Sequence, residues 1–467
     1  MTDLNASTRR AFLQRLGHLG VAGTAAPWAL NLAAMGEAAA FTATDYKALV
    51  CVFLYGGNDH GNTVIPCDST GHAEYLSVRE TLATPRASLD ATALDGSGLP
   101  AGRQYALAPQ LAPLKPLFDS RQLAIQLNVG PLVQPTTLAQ YQARSVPLPP
   151  KLFSHNDQQS VWQSSGAEGA VKGWGGRLGD LALTSNGGNA LFTCMSVTGN
   201  AVFLSGNQAL AYQIGEGGAI AVKGVTDTKD GMYGAAACRE ALRTLVTQDR
   251  ANLLEKELNR ITGRSIASHA TLAAALAGSE GQFDAALPDR VADRKRTLNQ
   301  QLKMVARLIA ARSALGLKRQ VFLVSLGGFD NHDQLLERHP ALLSQVGDAL
   351  AGFQQALDVL GVAPQVTTFT ASDFGRTMTS NGGGTDHGWG SHHFVLGGAV
   401  KGGFYGAPPT QLLNGPEDVG QGRLLPSTSV DQYAATLARW FGVTNSELPL
   451  VAPSIANFSQ RDLGFLG

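Results

Sequence analysis

The sequence predicts an α/β layered fold that is built around a mostly parallel sheet. The clearest observation is a continuous apolar run at residues 48–55, which ends in Gly56 and Gly57. Such a run is typical of a strand covered on both faces, as the strands of a parallel sheet are. Three more runs of this kind follow along the chain, and helix-like segments separate them. Strands that alternate with helices indicate a layered α/β arrangement.

Each predicted strand has Gly or Asp within three residues of its end. The strands are Ala48–Tyr55, Leu123–Val129, Gln320–Leu326 and Val366–Thr370. The predicted helices are Leu111–Phe118, Ala236–Ile261, Lys295–Leu315 and Leu342–Leu360. Ligands of such folds collect at the carboxyl ends of the strands, so the polar residues after each strand are the first candidates for a site.

Three stretches interrupt this pattern. Val133–Asn189 is loop-rich, and Asp227–Asp293 is helical and rich in alanine, which predicts a cap or an insertion. Gly382–Pro426 is rich in glycine and predicts a long loop or a small β subdomain. Because no linker separates independent domains, we expect one domain over residues 41–467, with a helical insertion at about residues 227–293.

Composition and charge exclude several classes of protein. Hydrophobic residues make up 44% of the 467 residues and charged residues 15%, which allows a sizeable core and is unlike a disordered chain. The 36 basic and 36 acidic residues leave no net positive field that would attract nucleic acid or anionic lipid. After residue 40 no stretch is apolar enough to span a bilayer. We therefore expect no nucleic-acid partner and no integral membrane span in the mature chain.

The N-terminus carries the features of a twin-arginine export signal. The pair Arg9 and Arg10 is followed by a weakly apolar run at residues 17–35 and by three alanines at residues 38–40. We interpret residues 1–40 as a signal peptide for the twin-arginine (Tat) export machinery, which predicts a periplasmic or secreted protein. The alternative is an ordinary helix with two surface arginines. Four cysteines allow three disulfide pairings in that compartment, and the sequence leaves the choice open.

Polar residues follow the predicted strands. Asp59 and His60 lie where the chain leaves the first strand, behind two glycines that let a ligand approach the backbone. Asp330 and His332 are two residues apart, so an extended backbone would put both side chains on one side. A carboxylate and an imidazole placed in this way can chelate one zinc or manganese ion. A helix-capping turn at Asp59 and a surface turn at His332 are the alternatives.

The last predicted strand is followed by Asp373 and Arg376, and the glycine-rich segment after them contains His387. Asp373 is a third carboxylate at a strand end. We interpret Arg376 either as a cation that binds an anionic group or as a structural ion-pair partner. His392 and His393 are adjacent, so only one of them can face the site in an extended chain.

Ser154 follows a proline-rich stretch, at a position where it could open a helix as an N-cap. The same position would present its hydroxyl at a helix N-terminus, which favours anions. Neither a P-loop motif nor a Gly-x-Ser-x-Gly motif occurs, which argues against a P-loop enzyme and a conventional α/β hydrolase. The combined pattern predicts a mononuclear or dinuclear metal centre with a hydroxyl beside it.

These motifs, in this order, resemble the exported bacterial family called domain of unknown function 1501. Besides the N-terminal signal, the matching motifs are residues 54–59, 153–155, 327–332, 372–377, 384–388 and 395–403. The family is similar to the alkaline phosphatase and sulfatase superfamily, whose fold is an α/β/α sandwich with a metal site at the strand ends. The resemblance therefore implies an alkaline phosphatase-like α/β/α sandwich with loop-rich and helical insertions.

The superfamily pattern implies a role for each candidate residue. Ser154 resembles the nucleophile at a helix start. Five residues resemble metal ligands of the superfamily, namely Asp59, Asp330, His332, Asp373 and His387. Asp330, His332 and His387 match the ligands of the first metal, and Asp373 matches a ligand of the second. Phe374 stands where the superfamily has a histidine ligand of the second metal. This departure leaves the number of metal ions open at one or two.

The resemblance implies an exported, metal-dependent hydrolase of phosphate or sulfate esters, with zinc, manganese or calcium as the divalent ion. In this hypothesis Ser154 or a water would attack the ester, and Arg376 and the metal would stabilise charge on a phosphoryl or sulfuryl oxygen. The bond to the alkoxide would break, and a metal or His387 as general acid would ease departure of the alkoxide. The substrate would be a small anionic ester or a polysaccharide. The alternative is a non-catalytic relative that uses the same scaffold to bind a polysaccharide or a surface partner.

Overall fold

Strand β1 (Lys47–Tyr55) forms the middle of the main sheet, and its seven inner residues are all buried. The computed structural model describes residues 43–226, 235–289 and 298–467. In it β1 pairs in parallel with β7 (Arg319–Gly327) on one side and with β8 (Val366–Ser372) on the other. A strand with neighbours on both edges and helices on both faces needs apolar side chains throughout, as the first apolar run predicts.

The other strands extend the sheet on both sides of β1. They are β2 (Val64–Pro66), β3 (Tyr105–Leu107), β4 (Leu123–Gly130), β5 (Cys194–Ser196), β6 (Ala211–Gln213), β9 (Ser391–Leu396), β10 (Gly403–Tyr405) and β11 (Thr428–Ser429). The order of the main sheet is β10-β4-β9-β8-β1-β7-β5-β6, with β11 paired to β4, whereas β2 and β3 form a separate antiparallel pair. Strand β9 runs antiparallel to β4 and β8, and the other pairings of the main sheet are parallel.

The helices lie between these strands in the chain. They are α1 (Ser69–Arg79), α2 (Lys115–Asp119), α3 (Leu138–Ala143), α4 (His155–Ser164), α5 (Trp174–Ala182), α6 (Ala236–Thr247), α7 (Leu253–Leu276), α8 (Leu298–Ala310), α9 (Leu335–Val359), α10 (Val430–Phe441) and α11 (Leu448–Val451). Short 3-10 turns connect several of them, including Pro109–Leu114 directly before α2.

Alternate residues of β1 belong to two separate apolar cores. Val52 is part of the core that includes residues of α8 and α9, and Phe53 is part of the core that includes residues of α5 and α10. Because successive side chains of a strand point to opposite faces, the two cores lie on opposite sides of the sheet. The molecule is therefore an α/β/α sandwich with a mostly parallel sheet, and the predicted fold class is confirmed.

The four predicted strands are confirmed to within two residues at each end. The helix predicted at Leu111–Phe118 is instead a 3-10 turn followed by the short α2, because Pro113 and Pro116 cannot donate backbone hydrogen bonds. The helix predicted at Ala236–Ile261 is divided in two. The second part begins at Asn252, whose side chain accepts hydrogen bonds from the amides of Leu254 and Glu255.

The glycine-rich stretch Gly382–Pro426 differs from the predicted long loop or small β subdomain, because its strands belong to the main sheet. It supplies β9 and β10 to the main sheet, and β9 lies between β4 and β8. The apolar residues at the end of Ser391–Leu396 are buried there. Burial of this apolar surface favours the return of the chain to the sheet. The stretch Val133–Asn189, predicted as loop-rich, carries α3, α4 and α5.

Several predictions fall partly outside the described residues. The predicted signal peptide at residues 1–40 lies outside them, as do residues 227–234 and 290–293 of the predicted helical insertion. Residues 235–289 contain α6 and α7. Among the helices that the structure describes, none combines the length and apolar character needed to cross a bilayer. The four cysteines are free thiols, and Cys51 is buried.

Gly56 and Gly57 allow two later segments to pack against the end of β1. A Cβ on Gly56 would overlap the backbone amide of Asp330, and a Cβ on Gly57 would overlap the ring of Phe374. Gly57 also has a φ of +84°, in the left-handed region that L side chains rarely adopt. The glycine pair is therefore required by close packing at the carboxyl ends of β1, β7 and β8.

We expect Gly57→Ala to lower the free energy of unfolding by about 2–5 kcal/mol, because left-handed strain and ring overlap add together. The matched control is Gly316→Ala, at a φ of +66° with nothing within 4 Å of the added methyl group. The control should lose about 1–2 kcal/mol, from backbone strain alone. Urea denaturation of both variants measures the difference, and equal losses would contradict the packing role of Gly57.

Candidate metal centre

The side chains of the predicted site meet around the carboxylate of Asp330. The chain leaves β7 at Gly327, and Gly328 has a φ of +103° that turns it toward the sheet edge. Asp330 Oδ1 lies 3.1 Å from His332 Nε2 and 3.3 Å from His387 Nε2. Two of the predicted first-metal ligands thus face the third.

A histidine that the sequence analysis did not assign completes the group. His155 is the first residue of α4, and its Nε2 lies 3.5 Å from Asp330 Oδ2. The ligand atoms of His155, Asp330 and His387 all lie within 4.8 Å of one another. His332 adjoins the same group, since its Nε2 is 2.9 Å from His387 Nε2. Among the described residues, His155, Asp330 and His387 form the group whose ligand atoms meet closely enough to hold a metal ion.

Each of the three imidazoles is held at its other nitrogen by an acceptor. His155 Nδ1 lies 2.6 Å from Asp373 Oδ2, His332 Nδ1 lies 3.0 Å from Asp386 Oδ1, and His387 Nδ1 lies 2.8 Å from the carbonyl oxygen of Phe153. The acceptors in these contacts require Nδ1–H to donate, so we assign the Nδ1–H tautomer to all three rings. A neutral ring of this tautomer presents a lone pair at Nε2.

Three Nε2 lone pairs and a carboxylate therefore face one space, a repulsive arrangement unless a cation or proton lies among them. Metal-binding histidines typically have this pattern, in which the distal nitrogen donates to a carboxylate or a backbone carbonyl and thereby fixes the ring. Side-chain exposure is 43% for Asp330 and 25% for His387, so the group is partly open to solvent. The donor set fits a divalent metal with an open position.

Local charges keep the central carboxylate ionised. Burial acts to raise the pKa of Asp330, but the hydrogen bond from Arg376 and its positive charge outweigh burial and the pKa is lowered. The hydrogen bond to Asp373 raises the pKa of His155, whereas burial lowers the pKa of His387. The neighbouring rings thus differ in proton affinity while the carboxylate between them stays negative.

Arg376 is completely buried and contacts Asp330 from the protein side. Its Nη1 donates to Asp330 Oδ1 at 2.6 Å and to the carbonyl of Gly56 at 3.2 Å. Its Nε and Nη2 donate to the hydroxyl and the carbonyl of Thr385. Of the two interpretations of Arg376, these contacts favour the structural ion pair over an arginine that is free to bind substrate.

Ser154 lies at the N-terminus of α4, next to His155, but its side chain does not cap the helix. Its hydroxyl donates a hydrogen bond to Asp157 Oδ2 at 2.9 Å, and Asp157 is buried. The serine therefore adjoins the candidate ligand His155, and its hydroxyl proton is directed at a carboxylate within the same helix.

Asp373 faces His155 instead of facing Asp330. Its Oδ2 accepts hydrogen bonds from His155 Nδ1 and, at 2.7 Å, from Gln159 Nε2. Phe374 follows it, and the ring centroid of Phe374 lies 4.8 Å from that of His155 and 4.6 Å from that of His387. Asp373 thus orients the ring of His155, and the ring of Phe374 packs against His155 and His387.

Asp59 is held in a separate buried ion pair. Both of its carboxylate oxygens accept hydrogen bonds from the guanidinium of Arg79, at 2.5 and 2.6 Å. Burial acts to raise the pKa of Asp59, but the charge and hydrogen bonds of Arg79 prevail and lower it to about 2. Asp59 does not belong to the group around Asp330.

Sequence reasoning missed two side chains of the candidate site, His155 and Asp386, although both lie in the motifs that carry the family resemblance. His155 follows Ser154, and Asp386 precedes His387. The signal that could have found them is the pairing of each imidazole with an acceptor. Asp373 is 218 residues from its partner His155, so spacing alone could not show this pairing.

We expect Asp59→Asn to lower the free energy of unfolding by about 3–5 kcal/mol, because Arg79 would remain buried without a counter-charge. The wild-type pair stabilises the fold above about pH 4, and this contribution of about 2 kcal/mol is lost as pH falls toward 2. The variant should therefore show a shallower loss of stability below pH 4. Urea midpoints measured from pH 7 to pH 3 test this prediction.

The control for that experiment is Lys115→Ala, which breaks the exposed pair with Asp119 and should change stability by less than about 1 kcal/mol. If Asp59→Asn keeps the wild-type urea midpoint but binds less metal, the structural role assigned to the Asp59–Arg79 pair is wrong.

Comparison with known proteins gives the following similarities. No curated protein matches the chain. Among solved structures, the lipoteichoic acid synthase LtaP from Listeria monocytogenes is 11% identical, with a TM-score of 0.36 over 91% of this chain and 81% of that one. Ps i-CgsB in complex with k-i-k-neocarrahexaose is 10% identical, with a TM-score of 0.32 over 89% and 77%. The C-terminal periplasmic domain of EcEptC from Escherichia coli is 11% identical, with a TM-score of 0.32 over 88% of each chain.

One family covers most of the chain. Residues 46–450 match the family described as protein of unknown function (DUF1501). This range contains His155, Asp330, His332 and His387, together with the acceptors that hold their rings. The resemblance indicated by the ordered motifs is confirmed, and the chain belongs to the DUF1501 family.

Proposed function

We propose that the protein is a metal-dependent hydrolase of phosphate or sulfate esters. The observation that carries the proposal is the set of imidazoles around Asp330, each with Nδ1 bound to an acceptor and Nε2 directed at the carboxylate. Hydrolases use such partly open ligand sets because one coordination position must remain for the substrate or for water. The phosphate or sulfate class is inferred from the family motifs.

The donor set favours zinc or manganese among the three ions that the sequence suggests. Imidazole nitrogen and carboxylate oxygen are ligands of both metals, whereas calcium takes oxygen ligands. We infer one ion, held by His155, Asp330 and His387, with His332 beside them. A second ion lacks its expected ligands, because Asp373 accepts hydrogen bonds from His155 and Gln159 and Phe374 replaces a histidine.

A divalent ion at this position would supply Lewis-acid stabilisation of negative charge on an ester oxygen. The chain's own contribution begins with Ser154. Its hydroxyl proton is directed at Asp157, which leaves the oxygen lone pairs free and gives the proton an acceptor. Backbone N–H groups at the N-terminus of α4 favour an anionic substrate beside this hydroxyl. Arg376 keeps Asp330 ionised and in place.

The proposal includes export. The twin-arginine pattern around Arg9 and Arg10 would direct the chain to the periplasm or the exterior after removal of residues 1–40. Residues 41–467 would then be the mature enzyme, a single domain with the helical insertion at about residues 227–293. Its partners would be the export machinery and a small anionic ester or a polysaccharide.

A specific observation favours the second candidate, a non-catalytic relative that binds a polysaccharide or surface partner. Phe374 packs against His155 and His387 at the position where a second metal ligand would be expected. A scaffold without its second metal could retain one ion for structure alone. The two candidates differ in turnover: only the hydrolase turns over an ester, and only there is the Ser154 hydroxyl required.

We expect the purified protein to bind one equivalent of zinc or manganese, measured by elemental analysis after dialysis. His155→Ala and Asp330→Ala should lose at least 10-fold in metal affinity, because each removes a ligand. His269→Ala removes a histidine of α7 outside the site and serves as the matched control. A panel of phosphomonoesters, phosphodiesters and sulfate esters then tests turnover.

Ser154→Ala should bind metal as the wild type does and lose at least 100-fold in kcat on the ester that the wild type hydrolyses. Metal-loaded wild type that turns over no ester would favour the binding protein. Wild type that binds no divalent metal would overturn both the metal centre and the hydrolase.

A further inference from the structure

The residue before Ser154 has an unusual backbone conformation. Phe153 has a φ of +72°, in the left-handed region that non-glycine residues rarely adopt. Its carbonyl oxygen accepts the hydrogen bond from His387 Nδ1 at 2.8 Å. A strained residue persists only where its surroundings hold it, and such residues cluster at functional sites. The left-handed turn at Phe153 aims a carbonyl at the ring of a proposed metal ligand.

Arg423 contacts both partners of that hydrogen bond. Its guanidinium carbon lies 4.7 Å from the ring centroid of Phe153, which is a cation–π contact. Its Nε donates to the backbone carbonyl of His387 at 2.8 Å. The three residues therefore form a closed set, which we call the Arg423 clamp: Arg423 holds Phe153 by its ring and His387 by its backbone, and Phe153 holds the His387 ring.

The loop that carries Arg423 is itself well fixed. Buried Asp418 accepts hydrogen bonds through Oδ1 from the amides of Gly420 and Gly422, at 2.8 and 2.9 Å. The carbonyl of Gly422 accepts a hydrogen bond from the amide of Met378 at 2.9 Å. Arg423 therefore projects from a turn that is fixed by its own hydrogen bonds. For this reason the clamp can impose an orientation on His387.

We propose that Arg423 is a positioning residue that sets the orientation and tautomer of His387 through Phe153. The consequence for metal binding rests on the proposed metal centre. By keeping Phe153 left-handed, Arg423 keeps the carbonyl at His387 Nδ1 and the Nε2 lone pair toward Asp330. An arginine suits this role better than a lysine, because a planar guanidinium can stack on the ring while its Nε donates sideways.

The test compares Arg423→Ala with Arg423→Lys and with Arg260→Ala, whose arginine makes an exposed pair with Glu257 on α7. Isothermal titration with zinc should give a dissociation constant raised about 10–100-fold for Arg423→Ala, the usual range for loss of an outer partner of a ligand. Arg423→Lys should fall between this value and the wild type. The control Arg260→Ala should bind zinc as the wild type does.

A second measurement determines the tautomer of His387 by NMR of the metal-free protein labelled with ¹⁵N-histidine. The wild type should show His387 as the Nδ1–H tautomer, and Arg423→Ala should show a mixture of tautomers. Phe153→Ala should behave like Arg423→Ala, whereas Phe153→Gly should keep the tautomer, because glycine adopts a positive φ readily. In the double variant Phe153→Gly with Arg423→Ala, the loss in zinc affinity should be smaller than in Arg423→Ala alone.

These readings separate the inference from the proposed function. Wild type that binds neither zinc nor manganese would overturn the metal centre, while the tautomer of His387 would still decide the role of Arg423. An unchanged tautomer in Arg423→Ala would overturn the positioning role, whatever happens to zinc affinity. If Arg423→Ala does not fold, Arg423→Lys and Phe153→Ala provide the same comparison.

Discussion

The carboxylate of Asp330 stays ionised between a buried guanidinium on one side and imidazole nitrogens on the other, and the site depends on this balance. Arg376 holds Oδ1 from inside the protein at 2.6 Å, so the carboxylate cannot turn away from the strand ends. The imidazoles approach from the solvent side with their lone pairs toward it. A negative group that has a fixed position and is partly open to solvent is suited to binding a cation.

The same balance requires support from several separate segments. The end of β1 contributes two glycines, against which the amide of Asp330 and the ring of Phe374 pack. The start of α4 contributes His155, and the segment before β9 contributes His387. Because every imidazole is bound at Nδ1 by an acceptor on another segment, a shift of one segment would misdirect a ring. The centre is therefore a product of packing as much as of ligand chemistry.

The charges that do not join the centre are equally informative. Asp59 and Arg79 pair with each other in the interior, so the Asp59 carboxylate is not available to the group around Asp330. Asp373 is committed to His155 and Gln159. Phe374 packs against the rings of His155 and His387, at a position where the resemblance implies a further histidine.

The sequence by itself determined the strands, the layered α/β class and the family, since apolar runs and ordered motifs depend on local residue types. It also named Asp330, His332 and His387, which lie close to strand ends and meet there in the structure. The tertiary structure alone decided that His155 joins them and that Asp59 does not. Pairings such as that of Asp373 with His155 join distant segments, and they depend on which way each side chain points once helices pack on the sheet. Spacing along the chain carries no information about that direction.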